Sequence, residues 1–408
     1  MTIVLGVLGT LLAALFGIQI LYILILTFAA VFYHKPKINS SLPQNFVILI
    51  PSHNEALNIP TVLSPIKALR AGPLSPNPTV VVIADNCTDE TAQLAREAGV
   101  VVYERNDLTA RGKGHALKWA IKKLPQDFPD YTACVIFDAD TIPNLNFLKA
   151  SEEALNRGAK VIQGRYDILN PFENRSTLML YIAFALANHV RPLGRMMLKL
   201  SDGLRGNGMV FQREVLENVP WQAYSLAEDI EYTNRLVQQG YKVEYVPEAS
   251  IKGQAPNDNK QAVSQRLRWE GGRGVQARKD VPPLLRQALR KGSPVFFDRA
   301  FDLLIPPLAL LVMLVISVTI FNTVVWAIFG TGWLAWNAEA SLAMLLGLTI
   351  YVIGGLLLAR VPAKTYMTLA FVPFYLVWKI KVYALLVFRR LPTEWVRTER
   401  TAITNTED

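Results

Sequence analysis

Ala133-Cys134-Val135-Ile136-Phe137-Asp138-Ala139-Asp140 is the stretch that decides the fold. Its five apolar residues, Ala133 to Phe137, read as a buried strand. The strand ends on two carboxylates one residue apart. Such a pair can share one hard divalent cation; in nucleotide sites magnesium or manganese is held by one or two carboxylates together with phosphate oxygens. Taken alone, the two aspartates equally describe a solvated turn. The polar motifs on either side give the pair its weight.

Between about residues 40 and 275 the chain alternates β-rich runs with helical patterns. Phe46–Ile50, Thr79–Ala84, Val100–Tyr103, Ala133–Phe137 and Lys160–Tyr166 read as strands. Thr88–Ala98, Gly114–Lys123, Asn146–Asn156 and Glu228–Gln239 read as helices. The alternation predicts an α/β domain, an open and mostly parallel sheet with helices on both faces. Ligands in that architecture bind beyond the carboxyl ends of the strands. The motifs obey the rule: Pro51-Ser52-His53-Asn54-Glu55, Asp85-Asn86 and Asp138-Ala139-Asp140 each follow a strand.

Of the 408 residues, 51% are hydrophobic, and the mean hydropathy is +0.24, too apolar for a purely soluble enzyme. The apolarity lies at the two ends. Residues 1–33 carry no charge, too long a run for a signal peptide and without its basic start, so they read as a retained anchor. Residues 303–330 and 340–359 are also uncharged and read as two further spans within 301–360. His34, Lys35 and Lys37 follow the first span and Arg360 and Lys364 the third, whereas the 331–339 loop has no Lys or Arg. Positive charge marks the cytoplasmic side, which puts the central domain in the cytoplasm, at the inner membrane of the cell. Residues 276–300 look amphipathic around Leu284, Leu285, Ala288 and Leu289 and read as an interfacial segment. In 361–408, Lys379 and Lys381 interrupt an apolar stretch, and Arg389, Arg390, Arg397 and Arg400 follow it. That pattern favours an interfacial helix and a basic cytoplasmic tail over a fourth span.

The formal net charge of +9 is accounted for largely by membrane-flanking Lys and Arg, so membrane lipid rather than nucleic acid is the expected partner. Cys87 and Cys134 should be reduced. The two cysteines and four histidines make no zinc-site pattern.

Several motifs can carry chemistry. Asn54, Glu55 and Asp85 could accept hydrogen bonds from a ribose or a base, although Asp85 or Thr88 could equally cap a helix. Arg111-Gly112-Lys113-Gly114 opens a helix whose amino terminus favours anions; Lys113 adds a point charge, and the Gly-Lys-Ser/Thr ending of a P-loop is missing. Gly206-Asn207-Gly208 suits a turn lining a sugar pocket, or a plain tight turn. Glu228-Asp229 fits helix-dipole complementarity and also a positioned general base. In Gln265-Arg266-Leu267-Arg268-Trp269 an arginine can pair with a diphosphate and the tryptophan can offer a platform to a sugar; a basic helix with an interfacial Trp is the plainer reading.

The order of these motifs resembles that of the membrane-bound family 2 glycosyltransferases, which include the synthases of cellulose, hyaluronan, chitin and poly-N-acetylglucosamine. The resemblance covers roughly residues 45–275, and Gln265, Arg268 and Trp269, as Gln-x-x-Arg-Trp, are its most specific part. It implies a GT-A fold, a nucleotide-sugar donor, usually UDP-linked, and Mg2+ or Mn2+. It further implies that Glu55 and Asp85, beside Asn54, contact the nucleoside and that Lys113 lies near the nucleotide. Asp138 would hold the donor's ribose or sugar and Asp140 the metal, with Asn207 in the sugar pocket. Asp229 would be the base, Glu228 its neighbour at the acceptor, Gln265 and Arg268 the holders of the diphosphate, and Trp269 the shaper of the acceptor site. Ala227-Glu228-Asp229 departs from the family's Thr-Glu-Asp. The activity implied is inverting, metal-dependent sugar transfer to a growing polysaccharide. Single transfer to a lipid or lipid-linked glycan, and a non-catalytic scaffold, are the alternatives. Three confident spans are few for a channel, so an oligomer or an export partner could supply the rest.

Overall fold

A computed structural model describes residues 1–36, 42–330 and 332–388. Lys37, Thr331 and the basic tail with Arg389, Arg390, Arg397 and Arg400 lie outside the described residues. The central domain is built on one eight-stranded sheet: β1 (Phe46–Ser52), β2 (Thr79–Asp85), β3 (Val101–Arg105), β4 (Ala133–Ile136), β5 (Thr141–Pro143), β6 (Val161–Ile168), β7 (Met209–Gln212) and β8 (Val243–Gly253), in the order β3-β2-β1-β4-β7-β6-β8-β5.

The parallel strands β1, β2 and β4 read as near-continuous apolar runs because both of their faces are covered. Alternate residues go to opposite sides. Ile48, Ile50, Val82 and Val135 pack with Ile59, Leu63 and Leu148 on one face. Val47, Leu49, Ile83 and Ile136 pack with Leu117, Ala120 and Tyr232 on the other. The sheet is more mixed than an alternating chain suggests. β7 runs antiparallel to both β4 and β6, and β5 is antiparallel to β8. The reversal has a functional consequence: because β7 starts opposite the end of β4, with Met209 across from Ile136, the turn that precedes β7 lands beside Asp138. Gly206 and Gly208 take φ of 75° and 66° there, left-handed angles that favour glycine.

Between β6 and β7 runs a helical segment that the apolar periodicity does not reveal. It comprises Arg175–Phe184, a π-helical turn Ala185–Val190, and Arg191–Met197. This segment leaves the sheet and docks on the helix Thr2–Val31. Leu186, Val190 and Leu193 share a core with Phe16, Ile20 and Ile23, and with Tyr351 of a helix near the other end of the chain. Close approach is possible at Gly194, where a methyl group would sit 2.1 Å from the Leu26 carbonyl oxygen.

Among the described residues four stretches are long and apolar enough to cross a membrane: Thr2–Val31, Leu308–Phe329, Gly332–Leu358 and Lys364–Leu386. The first three are joined by buried amides and hydroxyls: Thr10 donates to Asn337 (3.0 Å), Asn337 to the Gly6 carbonyl (3.0 Å) and Asn322 to Ser341 (2.8 Å). Small residues and interhelical hydrogen bonds of this kind hold helices together where no hydrophobic effect drives them. The fourth stretch has the length and hydropathy of a span in spite of Lys379, which is buried and paired with Glu270 of the helix Asn259–Lys291.

Two of the expected boundaries fall inside helices: Asn259–Lys291 runs through 275/276 and Pro294–Leu304 through 300/301. The apolar face expected to lie on the bilayer is consumed in part by protein: Val281, Leu284 and Ala288 pack against Val237, Phe296, Ala300 and Leu303, leaving Leu289 exposed.

The Gly194 contact yields a test. Gly194→Ala should lower the melting temperature in detergent by the equivalent of about 1–3 kcal/mol, the usual cost of overpacking. Gly354→Ala, where a methyl group meets nothing within 4 Å, should not. Equal melting of the two variants would show that the helices separate without cost.

Candidate active site

Lys113 is the centre of the site. It opens the helix Lys113–Asp127 after Gly112, whose φ of 104° admits no ordinary side chain. Gly114 lies under the 221–227 loop, where a methyl group would fall 2.1 Å from the Ala223 carbonyl oxygen. The Lys113 ammonium reaches Asp138 at 2.5 Å, donates to the Gly206 carbonyl, and lies 3.9 Å from Glu228. A side-chain carbon on Gly206 would stand 3.7 Å from Lys113 Nζ, 3.8 Å from Asp229 Oδ2 and 3.9 Å from Glu228 Oε1. Four segments widely separated in sequence therefore meet around one cation.

Electrostatics follow from this burial. Burial raises Glu228, pushed up to about 7, with Lys113 opposing and Asp229 adding to the rise. Burial raises Asp229 as well, opposed by the Ile230 N–H and by Lys113, Arg299 and Arg205. Burial pulls Lys113 down, but Asp138 and Glu228 hold it above its ordinary value. The adjacent carboxylates titrate as a pair.

Asp138 and Asp140 lie on the turn after β4, closed by a Thr141 N–H to Asp138 carbonyl bond of 3.1 Å. Asn207 is fully buried. Its carboxamide oxygen accepts from the Asp138 N–H (3.1 Å) and the Thr141 hydroxyl (3.0 Å). Gln163 supports it from behind, donating to the Asn207 carbonyl (2.9 Å) and accepting from the Arg205 N–H (2.8 Å). Among the described residues no three His, Cys, Asp or Glu side chains stand close enough to hold a metal ion. Asp138 and Asp140 give two carboxylates, a set that fits a hard cation only in company with a ligand's own phosphate oxygens.

Asn54, Glu55 and Asp85 form a second group, at the ends of β1 and β2. Asp85 is buried and bound by Arg105 at 2.5 Å; burial raises its pKa and the guanidinium opposes the rise. Asn54, at φ 56°, accepts the Thr88 N–H (2.7 Å) and so ties the two loops together. Glu55 is buried, with its N–H on Thr91 (2.8 Å). His115, two residues from Lys113, stacks on Tyr224 of the 221–227 loop with ring centroids 4.4 Å apart.

Gln265, Arg268 and Trp269 lie on the helix Asn259–Lys291. Gln265 accepts from Arg266 (3.3 Å), and Trp269 packs half-buried near Phe184 (6.1 Å between ring centroids). The helix is clamped to the segment before Glu228: Gln276 donates to Ser225 (2.8 Å), and a methyl group on Gly272 would sit 3.0 Å from the Ala227 side chain. Gln163, Thr141, His115 and Tyr224 were not legible as site residues, since each is an ordinary residue type acting through partners far away in the chain.

The family model described as "Glycosyltransferase like family 2" matches residues 43–272. The probable glycosyltransferase YdaM of Bacillus subtilis (strain 168) is 25% identical over 234 residues, 55% of this chain and 54% of its own. The poly-beta-1,6-N-acetyl-D-glucosamine synthase of Staphylococcus aureus is 25% identical over 260 residues, 60% of this chain and 58% of its own. The chain thus spans just over half the length of these curated relatives. Mannosyltransferase PcManGT from Pyrobaculum calidifontis, solved in complex with GDP-Man and Mn2+, superposes with a TM-score of 0.55 at 18% identity, over 95% of this chain and 99% of its own. The family model covers more than half of the chain, and the chain belongs to glycosyltransferase family 2, with the GT-A fold.

Proposed function

We propose that the protein transfers a sugar, with inversion, from a nucleotide-sugar donor to a growing polysaccharide at the cytoplasmic face of the inner membrane. The observation that carries this reading is the meeting of Asp138, Glu228, the Gly206 carbonyl and, beside them, Asp229 around Lys113. On this reading the ammonium attends the leaving diphosphate and the half-buried Asp229 receives the acceptor hydroxyl's proton. The Staphylococcus aureus relative and the Gln265-Arg268-Trp269 element support polymer as product. Export of a polymer would call for an oligomer or a partner protein beside the described helices.

In this mechanism Asp229 takes the proton of the acceptor hydroxyl as its oxygen attacks the anomeric carbon, and the bond from that carbon to the diphosphate oxygen breaks. Lys113, Gln265 and Arg268 face the leaving diphosphate. Glu55 and Asp85 bind the nucleoside, and Trp269 and Glu228 orient the acceptor. Asp138 and Asp140 would hold Mg2+ or Mn2+, which when bound supplies charge stabilisation for the diphosphate. Asn207 acts one step back, fixing the turn that carries both aspartates.

Purified protein in lipid, offered a panel of UDP- and GDP-sugars, should release nucleotide from one of them, lose that activity with a chelator and regain it with Mg2+ or Mn2+. Sizing the product separates polymer from single addition to a lipid-linked acceptor; silence across the panel would sink the reading. Asp229→Asn should slow transfer by roughly 10²–10⁴-fold, the usual worth of a general base, with donor affinity held; wild-type turnover would remove Asp229 from the role. Trp269→Ala should harm acceptor use more than donor hydrolysis, and equal loss of both would assign the tryptophan to the fold alone.

A further inference from the structure

A second buried cluster lies outside the site and belongs to no motif. Arg195 is 4% exposed. It donates to Asp298 (3.2 Å), to Asp302 (2.5 Å) and to the Tyr22 hydroxyl (2.9 Å), and stands 3.7 Å from Asp202. Tyr22, on the membrane-length helix Thr2–Val31, donates in turn to Asp298. Two branches leave this junction toward the active site. Along one, Asp202 takes both ends of the Arg205 guanidinium (2.6 and 2.9 Å), and Arg205 directly precedes Gly206. Along the other, Asp302 pairs with Arg299 (3.5 Å), and Arg299 donates to Asn234 (2.6 Å), on the helix that Glu228 and Asp229 begin. Asn234 is also held by Asp280 of the helix Asn259–Lys291.

Arg299 joins the two branches. A methyl group on Gly203 would lie 2.9 Å from its Nη1, so the 201–206 loop makes room for it. Its Nη2 is buried without a hydrogen-bond partner, which is costly for a structural arginine. Four guanidinium groups (Arg195, Arg205, Arg273, Arg299) share this space with four carboxylates (Asp202, Asp280, Asp298, Asp302). Buried ion networks seldom add net stability, because desolvation offsets attraction. They do fix geometry, since breaking one partner strands another charge.

We infer that Arg195, Asp302 and Arg299 are positioning residues for the transfer reaction, and that Tyr22 on the first membrane-length helix sets their arrangement. The catalytic-base helix and the Gly206 turn are then held in register by an element that touches no substrate. The inference rests on the assignment of Asp229 as base, but its geometric half does not.

The full chain in lipid nanodiscs provides the test, with Tyr22→Phe and Gly203→Ala each compared with wild type by hydrogen–deuterium exchange. Both should speed amide exchange within 228–238 and 201–208 roughly tenfold, the scale of one lost hydrogen bond to a charged group. Strands β1 and β2 should exchange as in wild type, and the melting temperature should fall by no more than the loss of one buried hydrogen bond accounts for. Unaltered exchange in 228–238, or an even rise across the chain, overturns the inference. With the donor that the panel selects, both variants should lower kcat several-fold while leaving the donor KM within about twofold. Arg299→Lys should recover part of the activity lost in Arg299→Met; equal loss in the two overturns the positioning role. Exchange needs no donor, so a silent panel counts against the proposed reaction, and unchanged exchange counts against the relay alone.

Discussion

The site depends on one half-buried cation. Asp138 and the adjacent pair Glu228-Asp229 come from separate segments, and like charges in a poorly solvated space repel. The Lys113 ammonium pairs with Asp138 and Glu228 and offsets that repulsion, with Arg299 and Arg205 adding to it at Asp229. Its position follows from backbone rather than from side-chain choice. Gly112 takes an angle that favours glycine, and Gly114 lets the 221–227 loop cross directly over the helix start. With these two glycines in place, the ammonium can reach the β4 turn, the Gly206 carbonyl and the head of the helix Glu228–Gln238 at once.

The legible parts of this arrangement were those governed by simple rules. β1, β2 and β4 stood out as apolar runs because both faces of a parallel sheet are buried. Their carboxyl ends carried the acidic motifs, as the ligand rule for such sheets requires. β8 was hidden because Pro247, Glu248 and Ala249 form a bulge opposite Gly164 and Arg165. β7, Met209–Gln212, was not read as a strand. The segment 175–197 was hidden because a π-helical turn breaks the 3.6-residue period on which helix reading relies. Asn207 shows a subtler limit. An amide flanked by glycines looks the same in sequence whether or not it grips a backbone, and here its oxygen holds the Asp138 N–H.

The membrane-length helices are more than an anchor in this molecule. The segment 175–197, inserted between β6 and β7, contributes Leu186, Val190 and Leu193 to the same core as Ile20 and Ile23. Catalytic domain and anchor therefore share one hydrophobic core and cannot be separated without exposing it. The helices that run across 275/276 and 300/301, Asn259–Lys291 and Pro294–Leu304, likewise pack on the helix Glu228–Gln238 through Val281, Leu284, Ala300 and Val237.

The same packing bears on the site. The helix that carries Gln265, Arg268 and Trp269 passes Ala227 at Gly272, where a methyl group would stand 3.0 Å from the Ala227 Cβ and 3.3 Å from its backbone nitrogen, closer than side-chain carbons ordinarily pack. Trp269 lies less than one turn from Gly272, and Asp229 two residues from Ala227. The Gly272–Ala227 contact thus sets the separation between the proposed acceptor platform and the proposed base.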